Sequence, residues 1–272
     1  MAALTCTGWD CHAHVFGPYD RFPLAALRSY TPHEAPIASY LALLDRLGLS
    51  HGVLVHPSAY GDDASLLLDV LAHHDRLRGV VVLRAEQRSK LTGLRQRGVR
   101  AARFSHRRAA GANFSGSASF ADLQALAPAL ADEGLHAELW TDCDALPELA
   151  PLLRELPVPV VIDHMGGFDA AAGVKQPGFR LLLELVARGG TWVKLCAYRN
   201  LMGHPDLEAG RHFHEALLAA NPERLLWGSD WPHLRVEPVP DAAVLLATFR
   251  RWTGSDSLAR QVLVTNPVAL YA

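Results

Sequence analysis

Residues 159–163 read PVVID, a short and continuously apolar run that ends in a charged residue. A strand with one solvated face alternates apolar and polar residues, whereas a continuous apolar run is buried on both faces. Strands of that kind are typical of parallel sheets, whose two faces are covered by helices. Residues 80–83, VVVL, have the same character. These runs therefore predict an α/β protein with a parallel sheet.

The same pattern recurs along the whole chain. Eight strand-like runs are predicted, at 9–15, 52–57, 79–83, 99–104, 135–140, 157–163, 191–196 and 224–229. They are spaced by about 30 residues on average, the length of one βα unit. Eight such units that close on themselves predict a single-domain (β/α)8 TIM barrel over residues 1–272. A doubly wound open sheet is the alternative, but it usually needs a Gly-rich turn after the first strand, and DCHAHVFG (10–17) is not one.

Helical segments with recognisable ends separate these runs. A capping-box pattern predicts one helix start at Ser119, and carboxylates in capping positions predict others at Asp144 and Asp256. We expect the last helix to end before Asn266, because Pro267 follows it.

Composition excludes several classes of protein. Of 272 residues, 50% are hydrophobic and 20% charged, and the formal net charge is −2. This apolar content excludes a disordered chain, and the balanced charge argues against a nucleic-acid surface. No apolar run reaches the roughly 18 residues of a membrane span, and the first residues lack a signal peptide's charged start. Four cysteines without a CxxC pair predict reduced thiols in the cytoplasm. We expect a monomer or small homo-oligomer with no nucleic-acid or membrane partner.

Ionisable side chains collect where the predicted strands end. The catalytic end of a (β/α)8 barrel is formed by the carboxyl ends of its strands, and burying such groups there without use or partner is costly. The side chains at these ends are Asp10, His12, His14, His56, Arg103, Glu138, Trp140, Asp163, His164, Lys194, Arg199, Asp230 and His233. The sequence therefore predicts an active site at this end.

The His12-Ala-His14 pair is the sharpest signal. Residues i and i+2 of a strand point to the same side, so both imidazoles should face the barrel interior, with Asp10 below them. Two such imidazoles can ligate one metal ion or bind one substrate oxygen. A packed pair of core histidines is the alternative, and Asp230 and His164 at other strand ends argue against it.

Asp230, in WGSDWPH (227–233), is the predicted general base, because neighbouring tryptophans should partly desolvate its carboxylate. His164 could polarise a carbonyl or act as a third metal ligand. Glu138 has two open interpretations: a further metal ligand, or the partner of a buried histidine or of Lys194.

The arginines imply a charged substrate. A carboxylate or sulfonate of the substrate could accept paired hydrogen bonds from Arg103 and Arg199, together with Arg107 or Arg108. Tyr30 lies on a long connection, residues 16–35, that is a candidate lid. The remaining predicted substrate contacts are His56, Trp140 and His233. Gly-rich phosphate loops are absent after the last two strands, so neither a phosphorylated substrate nor an organic cofactor is expected.

Six motifs, in chain order, resemble the amidohydrolase-2 branch of the amidohydrolase superfamily, within it the 2-pyrone-4,6-dicarboxylate lactonases and related lactone hydrolases. They are DCHAHVFGP, RSYTP, HGVLVHPS, VRAARF, VIDHMGG and LLWGSDWPH. The resemblance spans essentially the whole chain. It implies a (β/α)8 barrel that hydrolyses a cyclic ester, with Asp230 activating water and then protonating the leaving oxygen. It also implies that His12, His14 and His164 surround the carbonyl, and that Tyr30, Arg103 and Arg199 contact the substrate.

The chain departs from this family at three positions. Gly167 and Ala109 stand where the lactonases have arginines, and Trp140 stands where they have a tyrosine. These departures remove binding charge, so we expect a mono-anionic or neutral lactone as substrate rather than a doubly charged pyrone.

The resemblance leaves the metal question open. Most of the superfamily binds divalent ions, whereas the lactonase branch is known for working without one. One alternative is therefore a single Zn²⁺ ion held by His12, His14, His164 and Asp230, and the other is a metal-free site. Trp140 and Arg103 at strand ends argue against a centre with two metal ions and a carbamylated lysine. We predict a lactone hydrolase for a small carboxylated substrate of aromatic or sugar-acid catabolism. The rivals are a Zn-dependent decarboxylase of the same superfamily and a barrel that only binds ligands.

Overall fold

The computed structural model describes residues 6–108, 116–201 and 207–272. Its eight strands lie side by side in chain order, and each neighbouring pair is parallel. They are β1 (Trp9–Ala13), β2 (His51–Val55), β3 (Leu77–Val81), β4 (Val99–His106), β5 (His136–Thr141), β6 (Val160–Ile162), β7 (Thr191–Leu195) and β8 (Leu225–Trp227). Each strand overlaps the run predicted for it, so the expected (β/α)8 barrel is confirmed.

The barrel closes between its first and last strands through backbone contacts at their carboxyl ends. The amide of His14 donates to the carbonyl of Trp231 at 2.8 Å, and the amide of Asp230 donates to the carbonyl of His12 at 2.8 Å. A parallel bridge pairs Ala13 with Trp231 at the same place. The closure therefore brings residues 12–14 beside residues 230–231.

Helices surround the strands: α1 (Ile37–Leu47), α2 (Ser65–His73), α3 (Phe120–Asp132), α4 (Leu146–Arg154), α5 (Pro177–Ala187), α6 (Arg211–Ala220), α7 (Ala242–Thr253), α8 (Asp256–Arg260) and α9 (Asn266–Tyr271). Between β3 and β4 the chain forms short 3-10 turns, at Ala85–Leu91 and Arg95–Arg97, rather than an α-helix. Apolar side chains of strands and helices form the main core between the two layers.

Three of the predicted helix ends are wrong. The capping box at Ser119 is present, but Asp144 lies within a 3-10 turn and does not cap α4. Ser255 rather than Asp256 caps α8. The helical path does not stop before Asn266, because a π-helical turn, Gln261–Thr265, carries the chain into α9, where Pro267 lies in the first turn. Proline is tolerated there because a first-turn amide has no helical acceptor.

The amino end of the barrel is closed by an apolar cluster. Trp9, Val53, Val80 and Val161 pack there with Tyr271 of α9. The polar side chains predicted to form the site are left at the opposite end. Among the described residues, no helix combines the length and the apolar character needed to cross a membrane.

Candidate active site

A cavity of about 260 Å³ opens at the carboxyl ends of the strands. Its walls come from the loops that follow β1, β2, β6, β7 and β8 and from residues within β4 and β5. The residues that line it are His14, Tyr30, Pro57, Ser58, Arg103, Trp140, His164, Arg199, Asp230, Leu234 and Arg235. The structure thus brings together most of the residues predicted to form the site.

Asp230 lies on the loop that follows β8, in a left-handed conformation with φ of +59°. Its Oδ2 accepts hydrogen bonds from the Tyr198 hydroxyl at 2.6 Å and from Arg199 Nε at 2.6 Å. Its Oδ1 lies 3.6 Å from His12 Nε2 and 3.5 Å from His14 Nε2. One carboxylate oxygen is therefore held by the protein, and the other faces the two imidazoles.

The Asp230 carboxylate is ionised despite its burial. Burial alone would raise the pKa of this group, but the Arg199 guanidinium and the neighbouring histidines outweigh that effect. The pKa of Asp230 consequently lies well below its usual range. The buried position predicted from the flanking tryptophans is present, and Asp230 is 2% exposed.

His14 is oriented by the backbone of the neighbouring strand. Its Nδ1 lies 2.7 Å from the carbonyl oxygen of Val55. A carbonyl only accepts, so Nδ1 carries the proton and donates it. In the neutral ring, Nε2 then presents its lone pair toward Asp230.

His12 lies deeper, next to a buried lysine. Its Nδ1 is 3.1 Å from Lys194 Nζ and 3.3 Å from Asp163 Oδ1. Burial, and then the charge of Lys194, hold the pKa of His12 well below its usual value, so the ring is neutral. The contact with Lys194 needs a lone pair on Nδ1, whereas the contact with Asp163 needs a proton there. The neutral ring carries one proton, so Nε2 donates in the first case and accepts in the second.

His164 follows β6 in a left-handed conformation with φ of +49°. The side-chain amide of Asn200 donates to its carbonyl oxygen at 2.7 Å and holds this turn. The ring centroid is 4.8 Å from that of His12. Burial lowers the pKa of His164 to about 3, so this third imidazole is also neutral.

A buried ion network supports the site from below. Lys194 Nζ donates to Glu138 Oε2 at 2.5 Å and lies 3.3 Å from Asp163 Oδ1. The Tyr271 hydroxyl donates to the other oxygen of Glu138 at 2.7 Å. Both oxygens of Glu138 are thus used by these neighbours. Of its two interpretations, the structure favours the partner of Lys194 over the metal ligand.

The arginines divide between the cavity and its surroundings. Arg103 Nε donates to Asp163 at 2.8 Å, and its guanidinium also lies over the Trp140 ring. Arg199 lines the cavity but is committed to Asp230 and Tyr198. Arg108 was predicted to contact substrate; instead it pairs with Glu148 of α4 at 2.5 Å and does not line the cavity. The contact of Arg108 with substrate stays a prediction, and in this structure a nearby carboxylate holds the side chain outside the cavity.

Arg107, the other arginine considered at this position, is also turned from the cavity. Its Nε donates to Asp142 at 2.6 Å, and its guanidinium lies over the Trp140 ring, 4.4 Å from the centroid. Ala109, one of the three departures from the family pattern, lies outside the described residues.

Three other predicted positions differ from their expected roles. His56 Nε2 is bonded to the carbonyl of Gly61 at 2.9 Å and lines only a small recess beside the cavity. His233 is buried edge-on against Tyr198, with ring centroids 5.4 Å apart, and does not line the cavity. Asp10 does not lie below the histidines. A register irregularity in β1 between Asp10 and Ala13 breaks the strict alternation that placed it there.

Asp10 instead ties β1 to the loop that carries Asp230. Its carboxylate accepts from the amide of Ser229 at 2.8 Å and from the Ser229 hydroxyl at 2.6 Å. Burial raises the pKa of Asp10 to about 6.

Sequence reasoning gave no role to Tyr198 or Arg235. Tyr198 donates to Asp230, yet a tyrosine beside Arg199 forms no recognisable motif. Arg235 lines the cavity five residues after Asp230, and only its nearness in sequence could have suggested it.

The site has the composition of a metal centre. Three overlapping groups of side chains each bring their ligand atoms within 4.8 Å of one another: His12, His14 and Asp230; His12, Asp163 and His164; and His164, Cys196 and Asp230. Among the described residues, His12 Nε2 and His164 Nδ1 are buried without a hydrogen-bond partner.

Proton positions also fit a cation. With its only proton on Nδ1, His14 presents an acceptor Nε2 that lies 3.5 Å from the acceptor Asp230 Oδ1 in a buried place. Such a pair is repulsive unless a proton or a cation lies between them. The residues present therefore fit one divalent ion, provided that the His12 Nδ1 proton is donated to Asp163.

The fold and this His/Asp centre at the carboxyl end of a (β/α)8 barrel define a hydrolase of the amidohydrolase type. The amidohydrolase family profile, Amidohydro_2, matches residues 9–272, and the chain belongs to this family.

The similar proteins include hydrolases that are named for lactone and pyrone substrates. A 4-sulfomuconolactone hydrolase of Rhizobium radiobacter is 36% identical over 97% of this chain and 89% of its own. A 2-pyrone-4,6-dicarboxylate hydrolase of Comamonas testosteroni is 32% identical over 96% and 89%. A crystal structure from Pseudomonas putida, assigned as a 2-pyrone-4,6-dicarboxylic acid hydrolase, superposes with a TM-score of 0.85 at 35% identity and covers 98% of both chains. The resemblance inferred from the six motifs is thereby confirmed.

Proposed function

We propose that the protein hydrolyses a lactone, a small cyclic ester that carries an acid group, as in the breakdown of aromatic compounds. The relatives act on lactones and pyrones with acid substituents. The observation that carries the proposal is the divided environment of Asp230. Arg199 and Tyr198 hold its Oδ2, while its Oδ1 faces the imidazoles next to the cavity.

In the first step, a water molecule lies between Asp230 Oδ1 and the lactone carbonyl carbon. Asp230 takes a proton from this water while the water oxygen bonds to the carbon, and the carbonyl oxygen becomes an oxyanion. Arg103 lines the cavity, and among the described residues its two terminal nitrogens make no hydrogen bond. They and His164 stabilise the developing negative charge.

In the second step, the oxyanion collapses and the ring C–O bond breaks. The proton held by Asp230 passes to the leaving ring oxygen, which yields the ring-opened acid. Protonated Asp230 is the general acid of this step. Asp230 ends the cycle as a carboxylate.

We further propose that His12, His14, His164 and Asp230 hold one Zn²⁺ ion. When bound, such an ion acts as a Lewis acid toward the lactone carbonyl. The convergent acceptor atoms of His14 and Asp230 support this assignment.

We place the protein in the cytoplasm as a single-domain enzyme over residues 1–272, either a monomer or a small homo-oligomer. The free state of Cys6, Cys11, Cys143 and Cys196 supports a reducing compartment.

The proposal is tested by incubating purified protein with 4-sulfomuconolactone, 2-pyrone-4,6-dicarboxylate, muconolactone and a neutral sugar lactone. Ring-opened acid is measured by loss of lactone absorbance and by titrated proton release, and headspace carbon dioxide is measured in parallel. We expect acid and no carbon dioxide. Carbon dioxide without ring opening would instead support a decarboxylase. The absence of both products would overturn the hydrolytic assignment.

The metal assignment is tested separately by elemental analysis of the same protein. A chelator should remove zinc and activity together, and Zn²⁺ should restore activity. Full turnover with less than one zinc per ten chains would contradict the assignment.

A further inference from the structure

We propose that Arg235 is a specificity-determining residue that binds a second acid group of the lactone at the solvent-facing end of the cavity. The inference rests on the proposed lactone hydrolysis and extends it to a class of substrate. That class is a lactone with two oxyacid substituents, carboxylate or sulfonate, of which Arg235 holds the one remote from the reacting carbonyl.

Arg235 presents an uncommitted cation to the cavity. It lines the same cavity as Asp230 and is exposed at its mouth. Among the described residues, its guanidinium has no hydrogen bond, ion pair or stacked ring. Of the other arginines nearby, Arg199 is bound to Asp230, Arg107 to Asp142 and Arg108 to Glu148, and Arg103 is bound to Asp163 through its Nε alone. A guanidinium with free donors in such a place matches a planar or tetrahedral oxyanion.

The loop that carries Arg235 is built to hold it there. Asp230, His233 and Arg235 have φ values of +59°, +63° and +59°, a left-handed conformation that non-glycine residues adopt at a cost. Together with His164 and Met165, they are all the non-glycine residues with positive φ in the described chain. Strain of this kind persists when surrounding contacts hold it, and it concentrates at functional sites.

Those contacts are present. The His233 amide donates to the carbonyl of Asp230 at 2.9 Å, and Arg199 reaches the carbonyl of Leu234 at 3.4 Å. Arg199 also binds the Asp230 carboxylate. One side chain thus connects the general base to the residue that precedes Arg235, so the position of the loop is fixed relative to the reacting centre.

The charge of the cavity wall favours a multiply charged ligand. Of the described residues, three arginines and one carboxylate line it. Asp230 pairs with Arg199, and the deeper Asp163 pairs with Arg103 at its Nε. Within the described parts of the chain, no carboxylate pairs with Arg235. From Gly167 and Ala109 we expected a mono-anionic or neutral lactone; Arg235 returns a positive charge from the opposite, β8 side and changes that expectation.

The test compares wild-type protein with Arg235→Gln, Arg235→Lys and Arg235→Gly. Gln removes the charge at similar length, whereas Gly removes it and also relieves the left-handed backbone. Arg250→Gln, an exposed arginine of α7, is the matched control. The substrates are muconolactone, with one acid, and 4-sulfomuconolactone and 4-carboxymuconolactone, with two.

We expect Arg235→Gln and Arg235→Gly to raise KM for the two-acid lactones by about tenfold or more, with kcat within about twofold, the size of one lost charged hydrogen bond. KM for muconolactone and all constants of Arg250→Gln should stay at wild-type values, and Arg235→Lys should be intermediate. The KM of wild-type protein should rise with added salt more steeply than that of Arg235→Gln. If KM rises for 4-sulfomuconolactone alone, Arg235 binds a sulfonate; if it rises for 4-carboxymuconolactone alone, Arg235 binds a carboxylate. An equal KM change for one-acid and two-acid lactones, or no change, overturns the proposal.

A binding measurement separates this inference from the hydrolytic assignment. Isophthalate, with two carboxylates, and benzoate, with one, are titrated calorimetrically into wild-type and Arg235→Gln protein. Tighter isophthalate binding that depends on Arg235 supports the inference even if no lactone is hydrolysed. Lactone hydrolysis together with Arg235-independent binding and KM overturns the inference and leaves the hydrolytic assignment standing.

Discussion

The backbone amide of Asp230 donates a 2.8 Å hydrogen bond to the carbonyl oxygen of His12. This contact closes the barrel and at the same time places the carboxylate of Asp230 beside the imidazoles of His12 and His14. More than two hundred residues separate the two positions in sequence. The catalytic arrangement is therefore a direct product of barrel closure, and it is available only in the folded chain.

Replacing Asp230 with Asn should abolish most activity without unfolding the protein. Asn keeps the backbone bond to His12 and the shape of the side chain, but it cannot take a proton from water. We expect kcat to fall by at least about 100-fold, the usual contribution of a general base. Asp241→Asn, which alters an exposed helix cap, is the control and should retain kcat. Near-normal turnover by folded Asp230→Asn would exclude the proposed role.

Replacing Tyr198 with Phe should move the acid limb of the pH–rate profile. The Tyr198 hydroxyl donates to the ionised form of Asp230, so its loss raises the pKa of that carboxyl. The acid limb of kcat/KM should then shift to higher pH, with kcat near neutrality reduced by less than about tenfold. Tyr271→Phe removes a comparable bond to Glu138, and its acid limb should stay in place. An unmoved limb in Tyr198→Phe would show that this hydroxyl does not tune Asp230.

Much of the fold could be predicted because the relevant signals are local. The continuous apolar runs and their spacing specify buried parallel strands, and the His12/His14 pair at the end of β1 marks the catalytic end. The side-chain positions that the sequence did not predict depend on contacts between distant segments. The irregularity that displaced Asp10 arises from the pairing of β1 with β2, and Arg108 is drawn to Glu148 on another element.

The two interpretations of Glu138 illustrate the same limit. Its neighbours are Lys194, 56 residues away in sequence, and Tyr271, 133 residues away. No spacing within β5 encodes which of them it meets. Tyr198 received no role for a related reason. Its hydroxyl contacts Asp230 only because the loops after β7 and β8 lie side by side in the folded chain.

Replacing Lys194 with Met should destabilise the protein strongly, and a second change should recover part of the loss. Glu138 and Asp163 raise the pKa of Lys194 against the effect of burial, so the lysine is charged. Its removal leaves buried carboxylates without their cation, at a cost of about 3–5 kcal/mol. Adding Glu138→Gln removes one of those charges, so the double variant should be more stable than Lys194→Met alone. Urea unfolding at pH 7 measures this, and strictly additive losses would refute the coupling.

Restoring a side chain at Gly167 should harm the protein. A Cβ there would approach the carbonyl oxygen of Thr141 to 2.8 Å and Asp142 Oδ1 to 2.9 Å, and φ is +60°. Gly173 has φ of +67° with nothing within 4 Å of its Cβ, so Gly173→Ala isolates the backbone strain, about 1 kcal/mol. We expect Gly167→Ala to lower the free energy of unfolding by clearly more than Gly173→Ala. Equal losses would show that Asp142 yields, and that this position could carry an arginine.

Stability should rise with pH across the acid range, and His136 should account for part of the slope. His136 lies in the lower part of the barrel, where burial, followed by the charge of Lys194, lowers its pKa to about 3. In the unfolded chain the same group titrates near about 6.5, so between these values the unfolded state binds one more proton. This contribution is fully present above the unfolded pKa and is lost as the pH falls toward 3. His136→Met should therefore reduce the rise in unfolding free energy between pH 4 and pH 6.5 by up to about 1.4 kcal/mol per pH unit, while kcat at neutral pH is retained. Urea unfolding at several pH values measures both slopes, and a wild-type slope in His136→Met would mean that the ring is protonated equally in both states.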